Sequence, residues 1–107
     1  MDAREFVQRF RDERDAMLAD YTSSEPTTYV GKLLQDANLT DAQRGNVIAA
    51  LSQALTDAFY TILLGLDGSA ALGGVQQDFR ILDETGAAIS EVSGELEALA
   101  SEIFEGV

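Results

Sequence analysis

Between Thr40 and Leu66 the large apolar residues fall at Val47, Ile48, Leu51, Leu55, Phe59, Ile62, Leu63 and Leu66, with Ala50, Ala54 and Ala58 between them. Steps of three and four place these side chains on one stripe of a 3.6-residue helix. Thr40 and Gln43 have the spacing of a reciprocal capping box, and Asp41 puts a negative charge where the helix dipole favours it. Gly65 and the Asp67-Gly68 pair supply a stop signal. The pattern predicts a long central helix, 40–66, around which the other segments pack, with the Phe59–Leu66 end buried on most sides. Gln53, Thr56 and Asp57 interrupt its apolar run. The uninterrupted part, Ala58 to Leu66, is too short for a membrane span of about twenty residues.

Three other segments carry their own periodicity. In residues 2–21, Phe6, Val7, Phe10, Met17, Leu18 and Tyr21 share a stripe, and Arg14 falls within it, where its stem can lie along the core and its head can meet a carboxylate. A polar break, Thr22 to Thr27, holds the only proline. Pro26 suits the first turn of a second helix capped by Ser24 and running to about Ala37, although Gly31 weakens it. The last segment, Glu91 to Phe104, puts Val92, Leu96, Leu99 and Ile103 on one face, with Ser90 or Ser93 as its cap. Gly94 obscures its start.

The period changes in residues 75–89. Val75, Gln77, Phe79 and Ile81 alternate with Gln76, Asp78, Arg80 and Leu82, which is the pattern of a half-buried strand. Asp83 to Gly86 forms a turn in which Gly86 can take positive φ, and Ala87 to Ile89 reads as a return strand. The fold class expected is therefore α+β and mostly helical: about four helices packed around the 40–66 helix, with one β-hairpin over 75–89 before the C-terminal helix. A lone hairpin is marginally stable, so it must lie on the helices or offer an edge to another strand.

Composition narrows the chemistry. The 107 residues make one small acidic domain with 46% hydrophobic residues, seven basic and nineteen acidic side chains, and a net charge of −12. That apolar content argues against disorder. No cysteine or histidine is present, which excludes disulfides, thiolate or imidazole metal ligands and Ser/His/Asp or Cys/His catalysis. The segment Asp67 to Gly74 is glycine-rich, but it lacks the lysine of a phosphate-binding loop and the alternating carboxylates of a calcium loop. It reads as a helix stop and tight crossover. No cofactor and no metal are expected. The charged start, Met1 to Glu5, has no signal-peptide core, which makes a cytoplasmic location the expectation.

The charge has two readings: it keeps the protein soluble or reflects a salt-adapted proteome, or it serves a partner. A net of −12 repels nucleic acid and anionic membranes and favours a basic protein. Beyond Arg80 there is no basic residue, whereas the arginines concentrate near the N-terminus. The first and last helices can therefore pack with arginines facing glutamates. The functional alternative is a surface of Glu91, Glu95, Glu97 and Glu102, with Asp83 and Glu84, that docks on a basic partner such as a nuclease or toxin, in the manner of an immunity protein or by mimicking the phosphate track of DNA.

Two further readings compete. Asp67, Asp78, Asp83 and Glu84 flank the loop and hairpin and are the carboxylates to suspect if the chain were catalytic, with Tyr60 as a polar handle. No special spacing marks them, and no enzymatic activity is expected. A self-associating domain is the second: Leu72, Leu82 and Val107, with a hairpin edge, could form a symmetric homodimer.

Overall fold

A computed structural model of the protein describes residues 1–106. Four helices follow one another: α1 (Ala3–Tyr21), α2 (Tyr29–Asp36), α3 (Asp41–Asp67) and α4 (Glu95–Ala100). The last winds on as a π-helical turn, Ser101–Glu105. Among the described residues there is no β-strand, so the domain is helical rather than α+β. Val107, one of the residues expected in a dimer contact, lies outside the described residues.

The central helix forms where its periodicity places it. Thr40 accepts from the Gln43 amide and the Gln43 side chain accepts from the Thr40 amide, closing the capping box. Gly68 ends the helix in the left-handed region, with φ 78°. α1 and α4 pack against the C-terminal part of α3. Val7, Leu63 and Leu96, the largest fully buried side chains, join Ala3, Ala100 and Phe104 in one core. Phe6, Phe10 and Phe59 extend it, with Phe10 and Phe59 edge to face at 6.0 Å between centroids.

Burial of α3 is far less complete than its stripe suggests. Only Thr56, Leu63 and Gly65 are buried; Val47, Ala50, Ala54, Ala58 and Ile62 are exposed. The core therefore sits at one end of the molecule. Its radius of gyration, 16.3 Å, exceeds the ~13 Å of a compact chain of this length. By length and composition α3 is apolar enough to cross a membrane, with a mean hydropathy of 1.5 over eighteen residues, 11% of them buried. Here it lies along α1 through a polar contact. Buried Arg14 donates to Thr56 Oγ1 (3.2 Å), the Ser52 carbonyl (2.9 Å) and the Ser52 hydroxyl, and pairs with Asp15 at 3.0 Å.

α2 begins later than expected. Its cap is Thr28, whose hydroxyl accepts from the Gly31 amide, and Ser24 lies outside the helix. The cause is Asp20 at the end of α1. Its carboxylate accepts from the amides of Thr27 (2.8 Å) and Thr28 (3.0 Å) and from both hydroxyls, holding these residues extended before the helix starts. Pro26 is buried against Gly31. Gly31 is thus required by packing, because a Cβ there would lie 2.5 Å from the Pro26 Cβ.

The expected hairpin over 75–89 does not form. Its turn does: Gly86 has φ 86°, Asp83 donates to the Ala87 carbonyl at 2.9 Å, and Ile89 donates to the Ile81 carbonyl at 2.8 Å. Only an isolated bridge, Leu82 to Ala88, results. The return arm is too short, because the chain leaves after Ile89 toward α4 and residues 76–80 are left without a partner strand. A second isolated bridge, Leu72 to Val75, closes over Gly73 and Gly74, both at positive φ as a tight two-residue turn demands.

Two predictions follow from these contacts. Gly45 lies in exposed helix with nothing within 4 Å of an added Cβ. Gly45→Ala is expected to stabilise the protein by about 0.5–1 kcal/mol, whereas Gly31→Ala should destabilise it by about 1–3 kcal/mol, both read by urea denaturation. The second concerns acid. Hydrogen bonds from the hydroxyls of Thr27 and Thr28 and from their amides hold the Asp20 carboxyl well below the usual carboxylate range. A depressed native pKa contributes stability above the unfolded value, about 3.9, that is lost as pH falls through the native one. The urea midpoint should fall below about pH 4, and Asp20→Asn should show a shallower fall across that window.

Candidate functional site

The irregular chain between α3 and α4 is held by one carboxylate. Asp67, the last residue of α3, accepts from the amides of Gly94 and Leu96, each at 3.0 Å, and from the Ser69 hydroxyl. Free amides at a helix start require such acceptors. The last helix therefore begins at Glu95 rather than Glu91, and its cap position is Gly94 at φ 91° with no side-chain bond of its own. Neither Ser90 nor Ser93 caps it. The acceptor comes from a residue distant in sequence, which no local pattern discloses.

A groove of about 470 Å³ opens beside this junction. Leu66, Phe79, Ile81, Val92 and Leu96 supply apolar walls, and Asp67, Asp78, Arg80 and Glu91 supply charge. Val92, 63% exposed, stands at its edge. From Asp67 to the end of the sequence there are nine carboxylates and one cation, Arg80. Glu91 opens onto the groove, whereas Glu95 lines a shallower depression with Asp2, Ala3, Arg4, Ala98 and Leu99. Glu97 and Glu84 are exposed.

The remaining candidates have structural partners. Glu102 takes a two-pronged pair from Arg4, at 3.0 Å on each oxygen. The Arg4 guanidinium holds the Glu102 carboxyl below its ordinary range, and the arginine is itself shifted upward. Arg11 lies over the Phe104 ring, 5.7 Å from its centroid, and donates to the Ile103 carbonyl at 3.2 Å. Arginines of the first helix thus do face the last one. Asp83 folds into its own turn, accepting from the Thr85 amide and hydroxyl and from the Ala87 amide. Those bonds, the Thr85 hydroxyl foremost, hold its carboxyl low. The six predicted residues differ in their engagement: Glu84, Glu91, Glu95 and Glu97 form no ion pair with described residues, while Asp83 and Glu102 are engaged.

The four carboxylates suspected of catalysis are not gathered into one constellation. Asp67 caps a helix and Asp83 closes a turn, while Asp78 lies against Gly68. Among the described residues no group of three or more acidic side chains could hold a metal ion. Arg14, expected on the apolar stripe with its head on a carboxylate, is buried and pairs with Asp15, whereas sequence reasoning missed Asp20 and Asp67 as polar groups that join the elements. Comparison with known proteins finds no matching family model, no similar curated protein and no similar solved structure.

Removing the Asp67 carboxylate leaves two amides without their acceptor. Asp67→Ala should cost about 1–3 kcal/mol in denaturant unfolding, and Asp67→Asn, which keeps an acceptor oxygen, should cost less.

Proposed function

We propose that this chain is a non-enzymatic protein-binding module that engages a basic protein through the acidic entry to its last helix. The observation that supports this reading most directly is that Glu91, Glu95 and Glu97, within seven residues, form no ion pair among the described residues. Glu91 lines a groove with apolar walls, next to the exposed Val92. An apolar contact inside a negative field suits a partner that brings an apolar side chain flanked by lysine or arginine, because complementary charge speeds encounter and rejects wrong partners. Inhibition of a basic enzyme, of the nuclease or toxin kind, is the form of binding this chemistry fits. Where carboxyl groups are displaced from their ordinary range, at Asp15, Asp20, Asp83 and Glu102, the displacement is downward. Such carboxyls are poor proton donors near neutral pH.

The test is capture of a partner by the immobilised protein, followed by an affinity titration. A basic protein should bind at low ionic strength and dissociate as salt is added. The triple variant Glu91→Lys, Glu95→Lys, Glu97→Lys should bind at least tenfold more weakly with its helical circular dichroism unchanged. Glu102 is left intact because its carboxylate is already held in a two-pronged pair by Arg4. Unchanged affinity in the triple variant would sink the reading.

A further inference from the structure

Residues 76–80 lie within the alternating segment, all five are exposed, and none of their backbone N–H or C=O groups bonds to another described residue. Three apolar members of the surrounding segment are also uncovered, Val75 at 59% exposed, Phe79 at 41% and Leu82 at 49%, while Ile81 is half-buried against the core. Arg80 is the only basic residue after Arg44, in a region rich in carboxylates, yet it pairs with no described carboxylate; Asp78 pairs with no described cation. A strand-like sequence with a bare backbone edge is a template for another strand.

The segment is complementary to itself in one register. When two copies run antiparallel about a two-fold axis at Phe79, Asp78 stands opposite Arg80 of the second copy and Arg80 opposite its Asp78. Gln77 then meets Ile81, and Phe79 meets its own image. Moving the axis to Asp78 or Arg80 opposes like charges, and so does a parallel in-register pair. Directly opposite charges and aromatic pairs are favourable across strands, and like charges are not. Overall charge selects the same place. Two chains of −12 repel each other, and residues 75–82 carry one negative and one positive charge. We propose that residues 76–80 are the edge at which two copies of this chain join as antiparallel strands about Phe79, a pairing between chains that leaves each helical domain as described, with Val75 bonded to Leu72 and the Ile81 carbonyl to Ile89 in each copy. Asp78, Phe79, Arg80 and Ile81 also line the groove of the acidic-surface reading, but that reading is tested at Glu91, Glu95 and Glu97 and this one at Asp78 and Arg80, so the two fail separately.

One strand pair buries less than a standard interface, so the dimer is weak and is sought at concentrations up to about 1 mM. Sedimentation should show concentration-dependent dimers of the wild-type protein. Arg80→Asp and Asp78→Arg should each raise the dissociation constant about tenfold or more, because each turns two attractive pairs into two repulsive ones. The double variant Asp78→Arg, Arg80→Asp should recover dimerisation. In hydrogen exchange of the wild-type chain, alternate amides within residues 76–80 should become protected as concentration rises. A wild-type chain that stays monomeric over the whole range overturns the proposal. So does a dimer indifferent to both single substitutions, or one that the double variant fails to restore.

Discussion

The carboxylate of Asp67 is the constraint on which the second half of the molecule depends. It ends the longest helix and accepts the amides of Gly94 and Leu96, closing an excursion of 27 residues on the helix from which it departed. Few other groups tie this excursion down. Ile89 is buried and Ile81 half-buried, but every residue from Ala71 to Arg80 is exposed. A long loop without regular structure in a small domain is commonly a binding element or a flexible one. Fixing both of its ends on one side chain lets the chain between them remain open to solvent without releasing α4 from the core.

Cross-helix polar contacts do for α1 what Asp67 does for α4. Arg14 reaches α3 through Ser52 and Thr56, Arg4 reaches Glu102, and Arg11 reaches Phe104 and the Ile103 carbonyl. The separation of charge along the chain, basic first and acidic last, is thus partly consumed inside the fold. Glu91, Glu95 and Glu97, around the entry to α4, are left without an ion pair among the described residues.

The core lies where α1 starts, α3 ends and α4 packs, built on Val7, Leu63 and Leu96. The opposite end is held by Tyr21, Leu34 and Pro26, by Asp20 on the threonines before α2, and by Arg44 donating to the Thr22 carbonyl at 3.2 Å. Between them the outer face of α3 stays bare of packing and, apart from Asp57, of charge from Gly45 to Leu66. Burial of apolar surface is the main driving force for folding, so a core confined to one end gives an elongated domain whose two ends differ in what stabilises them.

Local patterns carried the helices. The three-and-four spacing of α3, its Thr40–Gln43 box and its Gly68 stop are short-range features, and each residue needed only its neighbours to declare its place. The charge imbalance and the absence of cysteine and histidine were equally plain, and with them the lack of much catalytic vocabulary. The start of α2 and of α4, the loss of the hairpin and the splitting of the acidic candidates were not legible. Each depends on a partner far away in the chain: Asp20 on Thr28, Asp67 on Leu96, Arg4 on Glu102. Alternation in Val75–Leu82 is a strand pattern, but a strand exists only where a second backbone arrives to meet it, and among the described residues only isolated bridges form, at Val75 and Leu82. Periodicity shows which face of an element is apolar; whether that face is covered is decided by packing, as the bare stripe of α3 makes plain.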